Sequence, residues 1–229
     1  MKGRLFCPEC GATDSLFVKG SCLQCFLKEH RLVLLPEKIG LPRCKQCGKI
    51  SLSGKMQNFD LEILRQFIKK KCRVKELTDA TLSVEFEHIG EKEMQAIITA
   101  KGVIESTPIL AEYKTTISFP AMQCDACMKL KSNYFEAIVQ LRGEKAAAAF
   151  SRLGQLLASL QKRDGLAAIV SATQKKNSID AIVGSKKAAA LAVKQLKKEF
   201  KTGATKTFKL IGVDKTGKQK KRVTFALRV

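Results

Sequence analysis

The sequence predicts an α+β protein with two domains. Three observations lead to this fold class: a cysteine-rich front of the chain, a middle stretch where apolar and polar residues alternate, and a basic carboxyl-terminal part whose elements follow the order β-α-β-β-α-β. With 229 residues, 45% of them hydrophobic and 28% charged, the chain can bury ordinary cores. We expect one domain at residues 1–130 and a second at 133–229.

The front of the chain is organised by cysteine pairs. Eight of the nine cysteines occur in four pairs with two residues between partners: Cys7/Cys10, Cys22/Cys25, Cys44/Cys47 and Cys124/Cys127. This spacing aims two sulfurs at one metal ion, and a glycine after the pair can adopt the left-handed conformation that the turn needs. A disulfide framework is the alternative, but cysteines stand where a secretory signal would need its apolar stretch, so we do not expect export. The pattern predicts two zinc ions per chain.

The pairs must be divided between the two ions. Eleven residues separate the first two pairs, and this short loop favours a first site made of Cys7, Cys10, Cys22 and Cys25. A second site of Cys44, Cys47, Cys124 and Cys127 then requires the intervening residues to fold on themselves. Four thiolates leave no open coordination position, which indicates structural rather than catalytic sites. A redox role for one pair is the competing interpretation.

The chain between the last two pairs is predicted to contain a helix and a small sheet. An amphipathic helix is expected over Asp60–Cys72, with Cys72 as a small buried residue at its end. A reactive thiol beside three lysines is the alternative for that cysteine. In the folded insertion, residues 73–120, alternation over 82–86, 94–100 and 113–119 predicts three short antiparallel strands, with one face resting on the zinc-bound core. Glu85 and Glu87 share a strand face, which we interpret as solvated rather than catalytic.

The carboxyl-terminal part alternates strands and helices. A strand over 134–141 precedes a helix marked by Phe150, Leu153, Leu157 and Leu160. Strands at 167–173 and 178–184 lead to a second helix, with Ser185 as its N-cap and an end near Phe200. A hairpin with strands at 206–213 and 219–229 completes the chain. This order predicts a ferredoxin-like split βαβ sandwich with an extra hairpin strand.

The charge points to a polyanionic partner. The formal net charge is +21, and residues 142–229 hold 21 Lys and Arg against 5 acids. Such an excess is typical of nucleic-acid binding, while acidic proteins, anionic membranes and a surface made basic for solubility are the alternatives. The longest apolar run has six residues, against about 20 for a membrane span. We expect no membrane contact and a cytoplasmic protein.

The second helix of the carboxyl-terminal domain carries the strongest basic pattern. Lys187, Lys194, Lys198 and Lys201 fall within about 60° of one another on a helical wheel. Lysines in the first helical turn oppose the helix dipole, so an external phosphate would explain them. With no Trp and two Tyr, the domain is suited to the backbone of folded RNA rather than to base stacking. We predict RNA contacts at Lys175, Lys176, Lys186, Lys187, Lys194, Lys198, Lys201, Lys215, Lys218, Lys220, Lys221 and Arg222.

Several motifs together resemble one family. The four cysteine pairs with a long gap before the last, the stretch Tyr134–Arg142 and the segments Asp214–Gly217 and Arg222–Arg228 are similar to the NMD-three family. The resemblance covers essentially the whole chain. It implies a short archaeal member, since eukaryotic members are export adapters that continue into further domains.

The resemblance also implies a function. A factor of this family binds the large ribosomal subunit at its intersubunit face, in late assembly or quality control. We expect a monomer without enzymatic activity, with ribosomal RNA, ribosomal proteins and other late assembly factors as partners. Two alternatives stay open: a zinc-ribbon regulator that binds nucleic acid, and an RNA-modifying enzyme. The enzyme would need a general base, a nucleophile or an open metal position, and none is apparent in the sequence.

Overall fold

The computed structural model describes residues 6–213, 217 and 219–229, without the side chains of residues 88 and 89. Helices and sheets are mixed along the whole chain, so the predicted α+β class is confirmed. The chain divides into two compact units, residues 1–122 and 123–229. Among the described residues, no helix is long and apolar enough to cross a membrane.

The first unit begins with short elements around the cysteines. A hairpin of two-residue strands leads directly into the first helix, and a second small sheet follows it. The hairpin consists of β1 (Phe17–Val18) and β2 (Ser21–Cys22), and the helix is α1 (Leu23–Glu29). The second small sheet pairs β3 (Val33–Leu34) with β8 (Arg73–Val74). A further sheet contains β5 (Arg43–Cys44), β6 (Ile50–Leu52), β7 (Lys55–Gln57) and β12 (Ala121–Met122).

The largest sheet of this unit has three antiparallel strands and a fourth that is parallel. In spatial order they are β4 (Lys38–Gly40), β11 (Thr107–Ser118), β10 (Glu93–Ile104) and β9 (Thr78–Ile89). The prediction of three antiparallel strands is confirmed, but the prediction that they are short is wrong, since each has 12 residues. The predicted segments cover only part of each strand, although buried and exposed residues alternate over most of β10 and β11.

One face of this sheet builds the core of the unit. The helix α2 (Leu61–Lys71) packs Leu64 and Ile68 against Ile98 and Ile117 of the sheet. Asp60 is the N-cap of α2, and its carboxylate accepts hydrogen bonds from the N–H groups of Glu62 and Ile63 at 2.8 and 3.1 Å. A separate cluster joins Phe26 of α1 to Ile104 and Ile109 at the far end of the sheet. The sheet therefore packs against α2 and also against the helix that carries Cys25.

The second unit is a five-stranded sheet with two long helices on one face. Its elements are α3 (Asp125–Lys131), β13 (Ala137–Arg142), α4 (Ala146–Leu160), β14 (Ile169–Lys175), β15 (Ser178–Val183), α5 (Lys186–Glu199), β16 (Ala204–Val213) and β17 (Gln219–Arg228). The strand order is β14-β15-β13-β17-β16. Leu153 and Leu157 of α4 and Leu196 of α5 are fully buried on the sheet, in a single apolar cluster.

The extra strand takes a central place rather than an edge. β17 lies beside β13 and runs parallel to it, and this displaces β16 to the edge of the sheet. The burial pattern gives the reason. Val223, Phe225 and Leu227 are buried at alternate positions of β17, whereas β16 is exposed at every residue after Ala204. The more apolar strand occupies the position that the helices cover.

Candidate metal centres and basic surface

The first group of four cysteines joins a tight turn to the start of a helix. Cys7 and Cys10 lie in a turn that the N–H of Gly11 closes by donating to the Cys7 carbonyl at 2.8 Å. Gly11 has a φ of +72°, the left-handed conformation expected after such a pair. Cys22 is the N-cap of α1, and Cys25 lies in its first turn. The four sulfurs all lie within 4.8 Å of one another.

The second group repeats this arrangement. The N–H of Gly48, with a φ of +69°, donates to the carbonyl of Cys44 at 3.0 Å and closes the turn that holds Cys47. Cys124 is the N-cap of α3, and Cys127 lies in the first turn of that helix. These four sulfurs also lie within 4.8 Å of one another. In both groups the second cysteine of the turn is exposed and the other three are buried.

The geometry and the chemistry of both groups fit a tetrahedral metal ion. Zinc–sulfur bonds of about 2.3 Å place the sulfurs of a tetrahedral site about 3.8 Å apart, and the sulfurs of Cys10 and Cys22 are 3.5 Å apart. The two groups could therefore bind two metal ions, consistent with zinc. With four sulfurs in each group, such an ion would keep no open position for substrate.

The ionisation of the four thiols in the first group also favours binding of a cation. The N–H of Cys22 donates to the sulfur of Cys7 at 3.4 Å, which lowers the pKa of Cys7 to about 6. Hydrogen bonding to Cys22 instead raises the pKa of Cys25. Clustered thiols cannot all ionise side by side, because each thiolate disfavours the next. A divalent ion at the centre removes this conflict.

The surroundings of Cys72 and of the pair Glu85 and Glu87 do not indicate a reactive site. Cys72 is half-buried at the end of α2 and packs against the apolar cluster of the sheet. Burial raises the pKa of its thiol, the opposite of what a reactive cysteine needs. Glu85 and Glu87 are exposed on β9, and Glu87 lies 3.9 Å from the ammonium of Lys114. These contacts agree with a solvated strand face.

The lysine stripe on α5 is exposed as predicted from the sequence, except at its end. Lys187, Lys194 and Lys198 are exposed on the helix. Lys201 lies beyond the helix, which ends at Glu199, so its placement on the helical stripe is wrong. Lys201 has a φ of +48°, and the N–H of Thr202 donates to the carbonyl of Lys197 at 3.1 Å. This cap turns the chain away from the helix axis.

The one acid of α5 is bound to a cation on the neighbouring helix. The guanidinium of Arg152 donates to both carboxylate oxygens of Glu199, at 2.7 and 2.8 Å. These bonds, with one from Gln195, lower the pKa of Glu199 to about 2. Because Arg152 engages this carboxylate, Glu199 contributes little to offsetting the lysines of the stripe.

The start of α5 has an internal anion that the sequence pattern does not reveal. A carboxylate oxygen of Glu136 accepts a hydrogen bond from the N–H of Lys186 at 3.1 Å, and the hydroxyl of Tyr134 donates to the other oxygen at 2.9 Å. The prediction that Ser185 caps the helix is correct, since its hydroxyl accepts from the N–H of Ala188 at 3.2 Å. An external phosphate is therefore not needed to explain lysines in the first turn. Glu136 is the only acid in the strand motif 134–141, and no local pattern assigns it to a helix that begins 50 residues later.

The remaining predicted RNA contacts lie on more than one face. Burial of Val223 under the helices places Lys221 on the helix side of the sheet and Lys220 on the opposite side. Lys175 pairs with Ser178 and also lies on the side opposite to the helices, while Lys176 is in the adjoining turn. The predicted residues thus divide between opposite surfaces of the unit, which one flat RNA surface could not contact together.

Arg222 is engaged within the protein. Its guanidinium lies 3.8 Å from the centre of the Phe135 ring, in a cation–π contact, and the side chain is half-buried. Lys215 and Lys218 lie outside the described residues. RNA contacts at all these positions remain predictions.

Models of known protein families match both parts of the chain. A family model described as the NMD3 N-terminal domain matches residues 7–132, and a model described as the NMD3 second domain matches residues 134–229. A search of curated proteins gives no match. The first match includes all eight paired cysteines, and the second includes the sheet with α4 and α5. The chain belongs to the NMD3 family.

Proposed function

We propose that this protein is a non-enzymatic factor that binds the large ribosomal subunit at its intersubunit face, in late assembly or quality control. Membership in the NMD3 family implies a ribosome-associated factor, in a family of adapters rather than of known enzymes. The observation that carries the proposal is the match of two family domains to adjoining parts of one strongly basic chain.

Zinc is the proposed metal, with Cys7, Cys10, Cys22 and Cys25 as ligands of one ion and Cys44, Cys47, Cys124 and Cys127 as ligands of the other. The chemistry of both groups supports a structural role, because four thiolates leave no position for a substrate. The proposed factor acts in the cytoplasm as a monomer, with ribosomal RNA and ribosomal proteins as partners.

The lysine stripe on α5, Lys187, Lys194 and Lys198, is the proposed RNA contact. Lysines bind phosphate as point charges, and each neutralised phosphate releases counterions. Charge alone would bind any RNA. We assign selectivity to simultaneous binding by the cysteine-rich domain and the basic domain. Linking two binding modules raises effective affinity by about 10²–10⁴ when the distance between them matches the target.

Fractionation of cell extract on a gradient tests the function. The protein is expected with free large subunits and absent from translating polysomes, because an assembly factor leaves before subunits join. Equal abundance in polysomes, or migration only with light fractions, would contradict the proposal.

A triple substitution of Lys187, Lys194 and Lys198 by Gln tests the RNA surface. Binding to purified large subunits should weaken, and the slope of log affinity against log salt should become shallower by about 0.7–0.9 for each phosphate that the variant no longer neutralises. The matched control is Gln at Lys69, Lys70 and Lys71, an exposed lysine run at the end of α2. If both triple variants change the slope equally, the effect comes from net charge and α5 is not the RNA surface.

A further inference from the structure

The edge strand β16 carries an apolar stripe that the described part of the chain leaves exposed. Phe208, Leu210 and Val213 are 59%, 54% and 57% exposed. Phe208 pairs with Val223, whose side chain is buried beneath the helices, so the stripe faces the helix side of the sheet. Leu210 pairs with Lys221 and Val213 with Gln219, and these positions continue the same face outward.

The uncovered stripe follows from the width of the sheet. Five strands at about 4.8 Å each span about 24 Å, whereas two helices of about 10 Å diameter cover about 20 Å. α4 packs against β13 and β15, and α5 packs against β13 and β17. β13 pairs only with the part of β17 from Val223 onward, so the outer half of the hairpin also projects past the central strands. The two helices therefore leave about one strand width uncovered, at the edge strand β16, and a helix docked there would extend past the edge of the sheet.

The charge around the stripe selects an acidic occupant. β16 and β17 contain no acid, and two of their six cations, Lys206 and Lys221, lie on the same face as the stripe. The ammonium of Lys206 lies 4.9 Å from the centre of the Phe208 ring, directly beside the stripe. A second copy of this chain would bring like charges together, which disfavours self-association through this face.

The aliphatic part of the stripe favours protein over RNA. Bases stack on aromatic rings, and Phe208 is the only aromatic residue in the stripe, whereas Leu210 and Val213 offer nothing to a base. Addition of a strand along the edge is also disfavoured, because Lys206, Lys209 and the irregular pairing between Leu210 and Gly212 are devices that protect an edge. A helix lying on the face avoids this protection.

We propose that the stripe formed by Phe208, Leu210 and Val213 is the docking site for an acidic amphipathic helix of a partner protein. The stripe spans about 17 Å along the strand, which corresponds to about eleven residues of helix. Leucine-like side chains of the partner cover the stripe, and its carboxylates meet Lys206 and Lys221. The site lies on the sheet, so it does not depend on RNA binding by α5.

A synthetic helix tests the proposal with the full-length, metal-loaded protein. The probe is a fluorescent peptide of about 14 residues, with leucine on one face and glutamate on the other, and its binding is measured by anisotropy. The double variant F208S/L210S should weaken binding by about tenfold or more, since each substitution removes apolar area that the peptide would bury. Both residues are exposed, so the fold is retained, and the single variant V213S gives a milder second measurement. A peptide with lysine in place of glutamate should not bind.

The matched control is L191S. Leu191 is 56% exposed on α5, within one helical turn of both Lys187 and Lys194, so it is another apolar residue among lysines. L191S should leave peptide affinity nearly unchanged. Equal affinity of the peptide for the protein and for F208S/L210S would overturn the proposal. A loss of RNA-duplex affinity in F208S/L210S as large as its loss of peptide affinity would also overturn it. A dimer in sedimentation that F208S/L210S abolishes would do the same.

Discussion

The two family domains are stabilised in different ways. Residues 7–132 contain one apolar cluster between α2 and the large sheet, smaller clusters nearer the cysteines, and both cysteine groups. Residues 134–229 contain one continuous cluster that includes both long helices and all the central strands. Short strands and seven-residue helices around the cysteines bury too little apolar surface to fix the chain there. Metal binding is thus expected to supply folding energy in the first domain, where the second uses side-chain packing.

Metal removal should have the largest effect on stability, and this effect should be confined to the first domain. Structural zinc contributes apparent free energies of about 10–16 kcal/mol in small zinc-binding peptides. A chelator should therefore abolish the hydrogen-exchange protection of residues 7–29 while leaving β13, β15 and β17 protected. Mass spectrometry of the native protein should find two zinc ions per chain before chelation.

The substitution C72A is the control for metal removal, because Cys72 is outside both groups and should not change the metal content. Loss of protection in both domains, or in neither, would contradict the difference in stabilisation. A content of one ion or none in protein purified without chelator would contradict the two-site prediction.

A cavity in the second domain should have the next largest effect. The substitution L153A removes a fully buried side chain of α4, and such changes cost about 2–5 kcal/mol of unfolding free energy. Urea unfolding followed by hydrogen exchange should show this loss in residues 134–229 and an unchanged zinc content. L191A, at an exposed position of α5, should cost less than about 0.5 kcal/mol. Release of zinc by L153A would show that the two domains do not unfold separately.

The smallest expected effect concerns the ion pair between Arg152 and Glu199. The pKa of Glu199 is about 2 in the folded protein and about 4.3 in an unfolded chain. Its stabilising contribution is therefore complete above about pH 5 and is lost as the pH falls towards 2. NMR titration of the carboxyl carbon should give a midpoint near 2, and R152Q should raise it towards the unfolded value. A midpoint that R152Q does not change would mean that another group holds Glu199 ionised.

Much of the fold and of both cysteine groups could be predicted from the sequence, because the signals are local. The cysteine spacing indicates turns and helix starts within a few residues, and Gly11 and Gly48 mark the left-handed positions. The helical period of Leu153 and Leu157 and the N-cap at Ser185 similarly need no knowledge of the rest of the fold.

The parts that could not be predicted depend on residues far apart in the sequence. Glu136 meets the start of α5 across 50 positions. The central place of β17 depends on which strand has the more apolar face, and this is a competition within the whole sheet. The end of α5 before Lys201 is set by a backbone cap without the usual glycine, so a helical wheel that includes Lys201 extends two residues too far.

The central position of β17 also has a consequence for synthesis on the ribosome. β17 is the last strand of its domain to be made, yet it bridges β13 and β16 in the middle of the sheet. Until it emerges, β16 has no hydrogen-bonded neighbour, and α5 lacks one of the two strands it packs against. Both cysteine groups precede these strands in the chain, so metal ions that they could bind would be acquired while the rest is still being translated. Vectorial synthesis thus delays closure of the basic domain until β17 emerges, and nascent chains would expose its apolar surface to chaperones during that interval.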